Sequence, residues 1–90
     1  MDPNLLEAII SINNIDDLKS FFDEMLTQGE RADLSLRWKL LKELQSGMTQ
    51  RKIAEKYGIS LCKITRGSKI LKKENSVVLK ILNKNVTPID

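Results

Sequence analysis

Residues 50–66 read Gln-Arg-Lys-Ile-Ala-Glu-Lys-Tyr-Gly-Ile-Ser-Leu-Cys-Lys-Ile-Thr-Arg, and their apolar spacing predicts two short helices that cross. Ile53 and Tyr57 would face the core from the first helix, and Ala54 is small where the second helix would pass closely. Gly58 permits the positive φ of a tight turn. The spacing is therefore typical of a helix-turn-helix.

The second helix of this pair is expected to offer polar groups to solvent. Ser60 would cap it, and Leu61 and Ile64 would anchor one side of it. The side chains left facing outward are Arg51, Cys62, Lys63, Thr65, Arg66 and Lys69. A short helix with these groups fits the major groove of DNA, where arginine reads guanine and basic flanks neutralise phosphates. An ordinary helical hairpin is the alternative.

Charge is divided unevenly along the chain. Residues 1–30 hold seven acidic residues and one lysine, a net charge of −6, whereas residues 31–90 hold fourteen basic and five acidic residues, a net charge of +9. Residues 49–73 alone carry eight basic residues against Glu55. This concentration favours a polyanionic partner, although a solvated basic face is the alternative on charge alone.

The N-terminal half also predicts helices, because strand-like alternation is nowhere sustained. Apolar residues between 5 and 12 predict a first helix. Asp16 or Asp17 is expected to cap a second helix. Its inward side chains would be Leu18, Phe21, Phe22, Met25 and Leu26. Thr27 followed by Glu30 is a capping-box pattern for a third helix that reaches about Ser46.

The C-terminal half predicts the rest of the third helix and the helices that follow it. The residues of the third helix predicted to face inward are Leu34, Trp38, Leu41 and Leu44. Gly47 suits a left-handed position after that helix, and Thr49 suits the cap of the next. A last helix should begin at Asn75 or Ser76. Its inward residues would be Val78, Ile81 and Leu82.

Size limits how such a chain can be stabilised. Residues 1–90 are assigned to a single helical domain, whose core is small. Cys62 is the only cysteine and there is no histidine, so neither a disulfide nor a conventional zinc site is expected. Self-association is the remaining way to enlarge the core, and residues 1–14 are a candidate dimerisation arm. No membrane span or signal peptide is apparent, so we expect a cytoplasmic protein.

A wider set of residues resembles a known family. These residues are Leu26-Thr27, Arg31, Arg37, Leu44, Gly47-Met48-Thr49-Gln50-Arg51, Ile64-Thr65-Arg66-Gly67-Ser68 and Leu71. Over about residues 15–74 they resemble the Trp repressor family. Gly67 is distinctive, because an ordinary helix-turn-helix usually has an aliphatic residue there.

The resemblance implies an all-α subunit of six helices in an intertwined homodimer, which binds a palindromic operator with L-tryptophan as corepressor. The ligand-binding residues that it implies are Leu26, Thr27, Arg37, Leu41, Arg66 and Gly67. Arg37 and Arg66 would sandwich the indole, and Arg66 and Thr27 would bind the carboxylate. Guanidinium planes are suited to both tasks.

The helix-turn-helix at residues 49–72 would carry the operator contacts. The DNA-binding residues are predicted as Gln50, Arg51, Leu61, Cys62, Lys63, Thr65, Ser68, Lys69 and Lys72. One departure from the family concerns the ligand instead. Ile70 stands where the family commonly has a serine near the ligand's amino group, and Glu24 is a candidate for a compensating charge.

The sequence does not favour an enzyme. It has no histidine, no glycine-rich phosphate loop and no carboxylates that its spacing would bring together, so we predict no catalytic residue, no metal and no cofactor apart from the corepressor. Two alternatives to a repressor stay open. One is the helix-turn-helix module of a transposase or recombinase without a small-molecule ligand. The other is a helical interaction subunit that binds a basic partner through its acidic N-terminal third.

Overall fold

The computed structural model describes residues 1–86, with the backbone alone at residues 85 and 86. Residues 87–90 of the predicted domain lie outside the described part. The elements are α1 (Pro3–Ser11), α2 (Ile15–Met25), α3 (Gln28–Gln45), α4 (Gln50–Tyr57), α5 (Leu61–Lys72) and α6 (Val77–Val86). No strand occurs between residues 1 and 86, so the predicted all-α class with six helices is confirmed. None of these helices is long and apolar enough to cross a membrane.

Two compact units divide the chain, Met1–Leu34 and Ser35–Asp90, and their boundary falls within α3. The first unit begins with two well-capped helices. The Asp2 carboxylate accepts a hydrogen bond from the Asn4 amide at 2.8 Å. Asn14, not Asp16 or Asp17 as predicted, caps α2, because its extended backbone lets its side chain accept from the Asp17 amide at 2.8 Å.

A tight corner joins α2 to α3. The predicted capping box is present: Thr27 Oγ1 accepts from the Glu30 amide at 3.1 Å, and Glu30 Oε1 accepts from the Thr27 amide at 2.9 Å. From the next residue, the Arg31 guanidinium donates to the carbonyl oxygens of Leu26 at 2.6 Å and Asp23 at 3.0 Å. These bonds satisfy carbonyls at the end of α2 that the helix itself leaves unpaired.

The first unit has no core of its own. None of residues 1–34, all of which the structure describes, is buried. Met25, which was predicted to point inward, is 58% exposed, and Ile10 and Ile15 are each 82% exposed. The inward prediction for Met25 was therefore wrong, because two short helices and about two turns of a third cannot cover both faces of α2.

The core of the second unit lies where α3, α4 and α5 meet. Leu40, Ile53 and Ile64 are buried together. Partly buried side chains surround them: Leu36, Leu44, Met48, Ala54, Tyr57 and Ile59. Ile53 and Ile64 are as predicted. In α3, Leu41 and Leu44 of the predicted stripe are buried and half-buried, whereas Leu34 is 49% exposed and the buried Leu40 was not expected. The packed face of α3 is therefore the predicted one without Leu34 and widened to include Leu40.

Glycine and threonine set the turns of this unit. Gly47 has φ +101° after α3, and Gly58 has φ +64° after α4, as predicted. Thr49 caps α4 by accepting from the Lys52 amide at 3.2 Å. Ser60 occupies the predicted cap position of α5 but its side chain makes no capping hydrogen bond. Leu61 was predicted to anchor this helix but is 51% exposed.

The last helix packs through one deeply buried side chain. Ser76 is buried and caps α6, since its Oγ accepts from the Leu79 amide at 3.1 Å. Leu82 is buried as predicted, whereas Ile81 is exposed and that part of the prediction was wrong. Gln45 Nε2 donates to Asn83 Oδ1 at 2.6 Å, which ties the end of α3 to α6.

Candidate nucleic-acid interface

The α4–turn–α5 segment presents most of the predicted DNA-binding side chains to solvent. The exposed ones are Arg51, Leu61, Cys62, Lys63, Thr65, Lys69 and Lys72. Gln50 and Ser68 are half-buried. On the inner side, Ile53 and Ile64 anchor the two helices. The outward positions are therefore fixed by the core beneath them.

Positive charge on this segment is largely free. Of the eight basic residues between 49 and 73, only Lys56 forms an ion pair within the described residues. The other seven are exposed: Arg51, Lys52, Lys63, Arg66, Lys69, Lys72 and Lys73. Unpaired and solvated cations at this density can neutralise several phosphates of a nucleic acid.

One hydrogen bond links the two helices on their outer side. Thr65 Oγ1 of α5 donates to Gln50 Oε1 at the start of α4, at 3.3 Å and across 15 residues of sequence. Both residues belong to the predicted DNA-binding set. The structure thus brings these two together, a contact that the spacing alone did not indicate.

An ion pair fixes α4 on α3. Lys56 Nζ donates to Glu43 Oε1, and the same nitrogen lies 5.3 Å from the centre of the Tyr57 ring. The hydrogen bond from Lys56 lowers the pKa of Glu43, and in turn the bond to Glu43 raises the pKa of Lys56. Glu43 Oε2 is buried with no hydrogen-bond partner within the described residues. This pair was not predicted from the sequence, because the two residues are on separate helices.

Gly67 lies at a close approach between α5 and α3. It is buried, and a Cβ atom placed on it would lie 3.2 Å from Leu44 Cδ1 and 3.5 Å from Leu41 Cδ2. Leu41 is itself buried. Two of the predicted ligand-binding residues are therefore neighbours, with the leucine side chains filling the space beside the glycine.

The remaining candidate ligand residues are more accessible. Arg37 and Arg66 are exposed, and neither forms an ion pair within residues 1–86. Leu26 is half-buried and Thr27 is exposed in the first unit. Ile70 of α5 is half-buried.

Potential metal ligands do not cluster in the described part of the chain. Residues 1–86 contain no group of three potential ligand side chains placed to hold a metal ion. The Cys62 thiol is free and exposed near the start of α5.

Comparison with known proteins decides the family. The sequence model described as Trp repressor protein matches residues 3–86. The chain belongs to the Trp repressor family. The resemblance predicted from the sequence is thereby confirmed, and the six helices are consistent with the Trp repressor fold.

Several curated relatives support this assignment, and all carry the name "Trp operon repressor homolog". The relative from Chlamydia trachomatis serovar L2 is 41% identical over 70 residues, which cover 77% of this chain and 74% of the relative. The Chlamydia caviae relative is 40% identical over 77% of this chain and 69% of its own length. That of Xylella fastidiosa strain M23 is 35% identical over 79% of this chain and 78% of its own. No solved structure gives a significant match.

Membership of the Trp repressor family bears on the function class. The family consists of transcriptional repressors and is not a family of enzymes. It favours a regulator over the transposase module and the interaction subunit that the sequence left open.

Proposed function

We propose that this Trp repressor family member binds a palindromic operator as a homodimer in the cytoplasm, with L-tryptophan as corepressor. The observation that carries the proposal is the exposed, unpaired positive charge of α4 and α5 over a buried Ile53–Ile64 anchor. A helix that reads DNA needs a packed inner side that fixes its position and unpaired cations on its outer side.

The DNA-binding role assigns different tasks to the exposed side chains. Arg51 at the start of α4 has a guanidinium that can pair bidentately with guanine O6 and N7. Lys69 and Lys72, in the last turn of α5, are suited to phosphates, which lysine binds as a point charge. Base reading and backbone positioning would thus come from different parts of the segment.

The tryptophan-binding role rests on the family and on chemistry. Two guanidinium groups, of Arg37 and Arg66, are free of ion pairs within the described chain and could stack on an indole or pair with a carboxylate. Arg66 belongs to α5, the helix that also carries Lys63 and Thr65. A ligand that contacts Arg66 could therefore bias the position of the DNA-facing helix.

Coupling between the two ligands requires a difference in affinity. L-tryptophan must bind the DNA-competent arrangement more tightly than the alternative, since equal affinity for both would shift nothing. By linkage, DNA and L-tryptophan would then raise each other's affinity by the same factor. Ile70 offers no hydroxyl to the ligand's ammonium group, so we propose a weak site whose affinity the Ile70→Ser change would raise.

Dimerisation is supported by the exposed apolar side chains of the first unit. Its apolar side chains Ile10, Ile15 and Met25 are exposed, and none of residues 1–34, all described, is buried. A second subunit could cover these side chains and supply the missing core. Residues 1–14 remain our candidate for the dimerisation arm of the 1–90 domain.

The decisive experiment measures affinity for a duplex selected from a randomised pool, with and without L-tryptophan. We expect the parent protein to bind more tightly with the ligand, and Arg37→Ala and Arg66→Ala to lose this response. Lys39→Ala is the matched control, because it removes an exposed charge from α3 without touching the proposed site.

The possible outcomes separate the two halves of the proposal. A parent protein that binds the duplex equally in both conditions would overturn the corepressor role and leave DNA binding intact. A parent protein that selects no duplex would overturn the whole proposal.

A further inference from the structure

The hydrogen bond between Thr65 and Gln50 orients the Gln50 carboxamide. Oε1 accepts from the Thr65 hydroxyl at 3.3 Å, and the Gln50 side chain makes no other hydrogen bond within the described residues. A carboxamide has one acceptor oxygen with two lone pairs and two N–H donors. With Oε1 turned toward Thr65, both N–H donors of Nε2 stay available to a ligand.

We propose that Thr65 is a positioning residue that orients the Gln50 carboxamide so that Nε2 donates to DNA. This inference rests on the proposed DNA-binding function. The group that Gln50 would contact is an acceptor, either a phosphate oxygen or the O6 and N7 edge of guanine.

The two partners are held in place independently of each other. Gln50 follows Thr49, whose side chain caps α4 by accepting from the Lys52 amide at 3.2 Å. Thr65 follows Ile64, which is fully buried in the core. Neither backbone position needs DNA to become ordered, so the side-chain bond can form in the free protein.

The Thr65–Gln50 hydrogen bond should raise the affinity for DNA, because it orders the Gln50 side chain before binding. Fixing a glutamine side chain on binding costs conformational entropy, and the Thr65 bond orders this side chain beforehand. Loss of the hydroxyl should therefore weaken binding about 2- to 10-fold, the range expected for one newly immobilised flexible side chain.

The test compares Thr65→Val, which keeps the branched shape and loses the hydroxyl, with Thr65→Ser, which keeps the hydroxyl. Affinity is measured for the selected duplex with L-tryptophan present. We expect Thr65→Val to bind about 2- to 10-fold more weakly and Thr65→Ser to bind within about 2-fold of the parent protein. Thermal unfolding of both variants is recorded alongside, and it should match that of the parent protein because position 65 is exposed.

A double-mutant cycle shows whether the hydroxyl acts through Gln50. In a Gln50→Ala background, we expect Thr65→Val to cause no additional loss. The inference would be overturned if the affinity losses of the two substitutions were additive. It would also be overturned if Thr65→Ser bound DNA as weakly as Thr65→Val. The proposed DNA-binding function would survive either result, since it fails only if the parent protein selects no duplex.

Modified duplexes identify the acceptor. A methylphosphonate removes the charge of one phosphate, and 7-deazaguanine removes one N7. One of these changes should weaken binding by the parent protein and leave binding by Gln50→Ala unchanged. If every such change affected both proteins equally, Gln50 would donate no hydrogen bond to DNA and the inference would be overturned.

Discussion

Gly67 of α5 faces Leu44 of α3 so closely that a Cβ atom on the glycine would lie 3.2 Å from Leu44 Cδ1. Such a distance is shorter than an ordinary van der Waals contact, so a side chain at position 67 forces Leu44 to move. The glycine thus has a packing reason in this subunit, apart from any ligand.

Substitution of Gly67 should reveal this contact. Alanine favours a helix over glycine by about 1 kcal/mol, but at position 67 the displaced leucine opposes that gain. We expect Gly67→Ala to gain clearly less than about 1 kcal/mol in urea unfolding. Gly67→Val should cost about 1–3 kcal/mol through overpacking. A gain of the full ~1 kcal/mol from Gly67→Ala would mean that the contact is freely relieved.

Truncation of the buried isoleucines should be costly. Ile53 is 0% exposed in the core of α3, α4 and α5. We expect Ile53→Ala to lower the free energy of unfolding by about 2–5 kcal/mol. Leu61→Ala is the control, since Leu61 is half exposed and its loss should cost no more than about 0.5 kcal/mol. Similar costs at both positions would show that the core lies elsewhere.

The Glu43–Lys56 pair predicts a pH dependence of stability. Because the hydrogen bond from Lys56 lowers the pKa of Glu43 below its ordinary 4.5, the contribution of Glu43 is present above that pH and is lost as the pH falls through the lowered value. The pKa of Lys56 is raised above 10.5, so its contribution is complete below that pH and is lost as the pH rises through the raised value. Stability from the pair should therefore be greatest between these limits.

Lys56→Met tests this dependence by thermal unfolding across pH. The difference in Tm between parent protein and variant should be largest near neutral pH and should shrink in acid and in strong base. Lys52→Met is the control, because Lys52 forms no ion pair within the described residues. A Lys56→Met difference that stays constant with pH would contradict the role of the pair.

Arg51 and Lys72 should affect DNA binding in different ways. We expect Arg51→Ala to cost about 1–3 kcal/mol on the selected duplex and to relax its sequence preference at one position. Lys72→Ala should weaken all duplexes alike and reduce the dependence of log affinity on log salt concentration by about one. Fluorescence anisotropy across a salt series measures both effects. If neither change altered affinity, the interface would lie on another face.

Local features of the fold were predictable because their partners are close in sequence. The Thr27–Glu30 box, the Thr49 cap and the left-handed Gly47 and Gly58 each depend on residues within a few positions. The cap of α2 was wrong because several consecutive Asn and Asp residues can all accept such a bond, and only the backbone angles of Asn14 decide between them.

Features that depend on distant elements were not predictable. The buried face of α3 is set by where α4 and α5 cross it, so Leu40 is buried beside the predicted Leu41, whereas Leu34 is exposed. The Glu43–Lys56 pair and the Gln50–Thr65 bond join residues 13 and 15 positions apart, and no periodicity indicates them. For the site, the family and the exposed basic segment followed from the sequence, whereas the roles of individual residues toward tryptophan and DNA stay predictions.

The lack of a core in the N-terminal unit determines which backbone hydrogen bonds break first in local unfolding. No residue from Met1 to Leu34, all of them described, is buried, so local opening there disrupts little apolar packing. In an isolated subunit these amides should exchange with deuterium fastest, while those around Ile53 and Ile64 should be the slowest. In a subunit whose N-terminal helices are covered by a second copy, the difference between the two exchange rates should become smaller or change sign. Deuterium uptake by this segment at rising protein concentration would therefore report association directly.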